Sequence, residues 1–171
     1  MKLKILLPTI LLCFGSICYA QNKDVFVCLP CGSACDAMQQ KKPGQCEHCQ
    51  MPLVAKASIK HTSVPPEKVC QFIAGKKDVV LLDVRTREEF NGTGEENFGT
   101  LKNAINIPIQ ELENRLSELA PHKAKTILVF CSHSHRSPRA SYLLTQNGFK
   151  NVVNMDGGMS VVGNIPCKKM N

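Results

Sequence analysis

The stretch Ile127-Leu128-Val129-Phe130-Cys131-Ser132-His133-Ser134-His135-Arg136-Ser137-Pro138 decides the fold. Its opening run is wholly apolar, as in a strand buried on both faces. Its end starts a helix: Pro138 suits the first helical position and Ser137 the cap before it. Between them lies a short polar loop that opens on a cysteine. A strand, a tight loop and a helix N-terminus together aim backbone N–H groups at whatever sits over the loop. A negative sulfur on Cys131 would gain from those donors. Open parallel sheets bind ligands at the carboxyl ends of their strands, which is where this pattern puts Cys131.

The alternation continues outward. Glu67 to Ala74 reads as a helix with Val69, Phe72 and Ile73 on one side and Gly75 as its stop. Val79 to Val84 is a second continuous apolar run. Thr86 to Phe90 suggests a short helix, with Thr86 and Glu89 spaced as a capping box. A Gly-rich loop leads to a strand near Ala104-Ile105-Asn106-Ile107, ended by Pro108. Ile109, Leu112, Leu116 and Leu119 fall at helical spacing. Ser137 to Asn147 is a helix stopped by Gly148, and Val152-Val153-Asn154 is a final strand. Strands alternating with helices predict an α/β fold whose parallel sheet is covered on both faces.

Five motifs now stand in order: Asp83-Val84-Arg85 with Glu88-Glu89-Phe90, Ala104 to Pro108, Cys131 to Arg136-Ser137, and Asp156-Gly157-Gly158. Over roughly residues 63–166 this series resembles a single rhodanese domain, with the domain itself placed at 67–166. The resemblance implies a five-stranded parallel sheet flanked by helices, and a cysteine that cycles through a persulfide. It makes Cys131 the catalytic cysteine and Arg136 the basic residue at the loop end. Ser132, His133, Ser134, His135 and Ser137 become the substrate-binding loop, and Asp83 and Arg85 a structural pair. The implied activity is sulfur transfer from thiosulfate, or a related small anionic donor, to a thiol or cyanide-like acceptor. The chain departs from the family pattern in three places. Ser134 stands where many members have glycine, Thr93 to Asn97 lengthens the segment after Phe90, and Met159 to Val162 replaces the usual tryptophan. Phosphatases also use a cysteine-to-arginine loop, but theirs encloses five residues. Here Cys131 and Arg136 enclose four, a size that suits a sulfur atom better than a phosphate.

Residues 24–55 read differently. Cys28-x2-Cys31 and Cys46-x2-Cys49 enclose fourteen residues, a spacing that suits two knuckles around one tetrahedral Zn2+. Gly32 and Pro43-Gly44 supply the turns, although Gln50 replaces the glycine expected after the second pair. The runs Phe26 to Gly32 and Pro43 to Val54 resemble a small, zinc-ribbon-like heavy-metal-binding module of metal-handling proteins. That resemblance implies Cys28, Cys31, Cys46 and Cys49 as ligands of Zn2+, with Cu+ or another soft metal as the alternative and Met51 as a soft contact. A disulfide knot is the competing reading. Cys35 is a spare thiol, an alternative ligand, or half of a disulfide with Cys70 or Cys167. Cys70 reads as a core residue and Cys167 as part of an exposed tail. Residues 56–66 read as a polar connector stiffened by prolines.

The first twenty residues read as a signal peptide: Lys2 and Lys4, an apolar run from Ile5 to Cys18, then Cys18-Tyr19-Ala20 as a small-x-small cleavage site. A periplasmic or secreted location follows, with no membrane span after cleavage. That compartment favours disulfides, which any thiol chemistry here must withstand. Cleavage takes the formal charge from +7 to +5. The lysines are scattered without interleaved aromatics, which argues against a nucleic-acid partner. Two functions remain in play: a sulfurtransferase, or a metal- or thiol-binding protein in which the rhodanese fold is a scaffold.

Overall fold

The structure, a computed structural model, describes residues 24–171; the expected signal peptide of residues 1–20 lies outside the described residues. The chain opens with a three-stranded antiparallel sheet, β1 (Phe26–Val27), β2 (Gln39–Gln40) and β3 (Val54–Ala55), in the order β2-β1-β3. These strands are too short to bury a core of their own. Its interior is sulfur instead: Cys28, Cys35 and Cys46 are buried, with Cys31, Cys49, Met51 and Leu53 packed around them. The Pro43-Gly44 turn closes through Leu53 N–H donating to Gly44 O at 2.8 Å.

The second sheet has five strands, all parallel: β4 (Thr62–Val64), β5 (Val79–Asp83), β7 (Ile105–Asn106), β8 (Thr126–Phe130) and β9 (Asn151–Met155), ordered β4-β9-β8-β5-β7. The fold is the expected α/β one. Successive strand side chains point to opposite faces, so central strands covered on both sides need unbroken apolar runs. Leu82, Ile127 and Val129 face one layer with Leu112, Leu119, Ala140 and Leu144. Leu81, Leu128 and Phe130 face the other with Val69, Leu101, Met155 and Met159. The layers are built by α1 (Val69–Ala74), α3 (Ile109–Leu112), α4 (Leu116–Leu119) and α5 (Arg136–Gln146), while α2 (Arg87–Asn91) buries no side chain in either. No helix among the described residues is long and apolar enough to cross a membrane.

Two readings change. The connector at 56–66 contributes β4, the edge strand beside β9; two of its three side chains are exposed, so it carries little apolar signal. Cys70 and Cys167 pair with each other across 97 residues of sequence, which excludes either as a partner of Cys35. The disulfide ties the tail to α1, and β10 (Lys168–Lys169) pairs antiparallel with β6 (Thr100–Leu101). Closing so long a loop restricts the unfolded chain strongly. The Cys70→Ser/Cys167→Ser double variant is therefore expected to lose about 2–4 kcal/mol in urea unfolding. A loss below about 1 kcal/mol would mean that the β6–β10 pairing alone fixes the tail.

Candidate active site and thiol cluster

Cys131 follows β8 directly and is 1% exposed. Its thiol donates to Ser137 Oγ at 3.4 Å. Ser137 is buried one residue inside α5, so its hydroxyl is fixed beside the sulfur and can turn to donate once that sulfur is a thiolate. Helix α5 begins two residues earlier than the Ser137 cap and Pro138 start that its composition suggests. His135 is the cap and Pro138 the third helical residue, still within the first turn, where a missing N–H costs nothing.

The loop backbone is locked from below. Met159 N–H donates to Cys131 O at 2.8 Å and Ser160 N–H to Ser132 O at 2.9 Å. Gly158 lies so close that a Cβ there would sit 2.3 Å from Ser132 O. This contact is the physical reason for the glycine at 158 in Asp156-Gly157-Gly158. Ser134 takes φ +60°, the left-handed conformation that its non-glycine identity disfavours, and its hydroxyl donates to Met155 O at 3.4 Å. His133 and His135 are exposed; their rings stack with centroids 6.3 Å apart, and His133 meets Phe98 edge-on at 5.5 Å.

Arg136 does not stand free for an anion. Its guanidinium pairs with Glu89 through two bonds, Nη1 to Oε2 at 2.6 Å and Nη2 to Oε1 at 2.7 Å. It also donates to Ser132 Oγ, which in turn donates to Glu89 Oε1 at 3.0 Å. The sequence marks Glu89 as a helix cap and as part of Glu88-Glu89-Phe90, but not as the partner of Arg136. It keeps that role, accepting from Thr86 N–H at 3.0 Å while Thr86 Oγ1 accepts from Glu89 N–H. The signal was the order of strands: β5 and β8 are neighbours, so the loops at their carboxyl ends meet.

Burial opposes ionisation of Glu89, but the Arg136 hydrogen bonds, the Thr86 N–H, the Arg136 charge and the Ser132 hydroxyl outweigh it and hold the carboxyl at about 2. A folded-state value below the unfolded one stabilises the fold above pH ~4.5 and is lost as pH falls toward 2. Glu89→Gln is expected to cost about 1–2 kcal/mol at neutral pH, the ion pair being partly exposed. Urea midpoints of variant and wild type should converge between pH 4.5 and 2; parallel curves would remove Glu89 from this role.

Asp83 and Arg85 are both wholly buried, joined by Arg85 Nη2 to Asp83 Oδ2 at 2.6 Å and Nε to Oδ1 at 3.0 Å. Arg85 also donates to Gly99 O at 2.8 Å, and Thr100 Oγ1 donates to Asp83 Oδ2 at 3.0 Å. This set holds the carboxyl end of β5.

In the small sheet, Cys28, Cys31, Cys35 and Cys49 bring four sulfurs within 4.8 Å of one another. Tetrahedral Zn2+ with bonds of about 2.3 Å needs sulfurs about 3.8 Å apart. The Cys28–Cys49 and Cys31–Cys35 separations are 3.2 and 3.4 Å, shorter than that, so these four thiols could hold a thiophilic ion once the two pairs spread by about half an ångström. Cys35 thus joins three of the four expected ligands. Cys46 is buried in the same cluster, and the backbone N–H groups of Cys49 and His48 bring its thiol down to about 7. The Cys31 sulfur and burial push Cys35 up to about 12, and burial raises Cys28 as well. A central cation would reverse both effects. Gln50 forms the second knuckle turn at φ +56° without glycine, steadied by its own Nε2 donating to Glu47 O at 3.1 Å.

A five-stranded parallel sheet with a cysteine-led loop at its carboxyl edge defines an α/β domain of the kind that binds ligands at its strand ends. Residues 66–164 match the model of the rhodanese-like domain, and the chain belongs to that family. It is 35% identical over 100 residues to the Bacillus subtilis protein YqhL, covering 58% of this chain and 73% of that one. A sulfurtransferase of Allochromatium vinosum is 29% identical over 96 residues, covering 56% and 82%. A tRNA uridine(34) hydroxylase of Cytophaga hutchinsonii is 31% identical over 124 residues, 66% of this chain but 37% of that one. Among solved structures, a rhodanese-related protein of Thermoplasma volcanium superposes with TM-score 0.50 at 31% identity, covering 60% of this chain and 90% of that one. A rhodanese-like domain protein of Staphylococcus aureus gives 0.53 at 25% identity, covering 64% and 96%. The family and a sulfurtransferase relative support sulfur transfer or related chemistry for this domain.

Proposed function

We propose that the chain is an exported rhodanese-type sulfurtransferase that moves sulfane sulfur through a persulfide on Cys131. The observation that carries this reading is the placement of Cys131: at a strand's carboxyl end, beside Ser137 Oγ at 3.4 Å and ahead of the α5 N-terminus. The Cys131 thiolate attacks the outer sulfur of thiosulfate, the S–S bond breaks, and sulfite leaves with the electron pair. An acceptor thiolate or cyanide then attacks the outer sulfur of the persulfide and releases the Cys131 thiolate. The Ser137 hydroxyl and loop N–H groups bear the negative sulfur. Arg136, bound to Glu89 and Ser132, shapes the loop and adds charge at its rim.

Export is supported by the leader pattern and by the Cys70–Cys167 disulfide, a bond that persists in oxidising compartments. In this reading the thiol cluster holds Zn2+ through Cys28, Cys31 and Cys49 with Cys35 or Cys46 as the fourth ligand, Cu+ being the alternative. When bound, the ion supplies a structural cross-link to a module with almost no apolar core.

The test is intact mass spectrometry of the reduced-loop protein after brief exposure to thiosulfate. A gain of one sulfur atom, mapped to the Cys131 peptide, is the expected result. No gain with thiosulfate, polysulfide or a persulfide donor would leave the second reading, a metal- or thiol-binding protein on a rhodanese scaffold. The five clustered cysteines are the observation that favours it.

A further inference from the structure

The thiol cluster and the Cys131 loop touch. Gly32, the residue after the ligand Cys31, takes φ +84°, and a Cβ there would lie 2.4 Å from His135 Cε1, 2.6 Å from Nε2 and 2.9 Å from Nδ1. The bare Cα of Gly32 is therefore the seat of the His135 ring. The seat is rigid on the cluster's side. Asp36 Oδ1 accepts from Cys31 N–H and Oδ2 from Gly32 N–H, both at 2.9 Å, which fixes this knuckle to the turn carrying Cys35. On the other side His135 caps α5 and stacks on His133, which meets Phe98. Ser134, the loop's one residue in the left-handed region, lies between the two histidines. Both outward side chains of the loop are thus clamped, one against the cluster's knuckle and one against Phe98, around the residue with most reason to relax.

We propose that His135 is a positioning residue through which occupation of the thiol cluster controls the shape of the Cys131 loop. A thiophilic ion bound by Cys28, Cys31, Cys35 and Cys49 fixes the Cys31-Gly32 backbone. His135 then keeps its seat, and Ser134 stays in the conformation that turns the loop N–H groups toward Cys131. Without the ion nothing ties the four sulfurs to one another, the knuckle loosens, and the loop loses one of its two clamps. This proposal rests on the reading of Cys131 as the reactive cysteine, but not on thiosulfate as its donor.

The experiment compares Zn2+-loaded and chelator-stripped full-length protein, kept anaerobic. It reads two rates at the Cys131 peptide: sulfur uptake from thiosulfate and alkylation by iodoacetamide. Stripping is expected to change both rates at least fivefold in the wild type, the scale of a modest coupling between sites. Alkylation of Cys131 should in turn change Zn2+ affinity, although a ratio of rates does not fix the size of that change. His135→Ala should bring the loaded-to-stripped ratio close to one while Zn2+ affinity in chelator competition stays within about twofold, since no ligand is removed. His135→Phe, which returns a flat ring to the Gly32 seat without an imidazole, should restore the ratio. A wild-type ratio of one for both reagents, or a ratio that survives His135→Ala, would overturn the proposal. A fivefold alkylation ratio with no sulfur uptake would support the coupling while removing thiosulfate transfer.

Discussion

Cys131→Ser protein is expected to take up no sulfur from thiosulfate and to lose turnover by about three orders of magnitude or more, as when other enzymes lose their covalent nucleophile. The fold should survive. Cys131 is buried among Leu82, Val129 and Ala140, and serine is smaller by less than a methylene, so no large cavity opens. The serine hydroxyl would sit beside Ser137 Oγ, which can both donate and accept, so the new polar atom keeps a partner. Its own oxygen is too weak a nucleophile at neutral pH to replace a thiolate. Circular dichroism and the urea midpoint should stay near wild type while the sulfur adduct is absent by mass. A residual adduct on the Cys131 peptide-free remainder would instead point to the thiol cluster as the sulfur carrier. The Zn2+ content of this variant should be unchanged, because none of the clustered sulfurs is touched.

The parts legible in the sequence are those whose physics is local. Val79 to Asp83 and Thr126 to Phe130 declare themselves because a strand buried on two faces has no polar position to spare. Thr86 and Glu89 declare a helix start because both halves of a capping box lie three residues apart. The loop from Cys131 to Ser137 is legible for the same reason: strand end, cysteine and helix start are contiguous. What needs the third dimension was hidden. Strand order decides that Glu89 meets Arg136, and no local pattern encodes that β5 neighbours β8. Thr62-Ser63-Val64 is an exposed edge, so its pairing with β9 leaves only Val64 buried. Cys35 lies in a short turn outside both CxxC pairs, and only the Asp36 anchor to Cys31 and Gly32 brings it among the other sulfurs. The Cys70–Cys167 bond spans 97 residues, beyond any spacing argument.

Arg85→Met is expected to destabilise the protein by about 3–5 kcal/mol, a large share of the 5–15 kcal/mol that holds a typical domain folded. The loss comes less from the pair itself than from what remains. Asp83 is wholly buried, and without the guanidinium its carboxylate keeps only the Thr100 hydroxyl and the Arg85 position's own N–H, the latter at 3.0 Å. A buried charge left so poorly partnered must either protonate or drag water inward. Gly99 O would lose its donor as well. Removing the charge along with its partner separates these causes. The Asp83→Leu/Arg85→Met double variant should recover much of the loss, because paired buried ions often gain little over apolar side chains of similar volume. Urea unfolding of the two single variants and the double closes the cycle; equal losses in Arg85→Met and the double would refute the unpaired-charge account. The pair also bears on chemistry. Asp83 stands opposite Phe130 in the β5–β8 ladder, and Val84 N–H donates to Phe130 O at 3.0 Å, one residue before Cys131. A β5 end released from its anchor should therefore slow sulfur uptake in molecules that remain folded, and this effect should persist in the double variant, where charge is balanced but the donor to Gly99 O is gone.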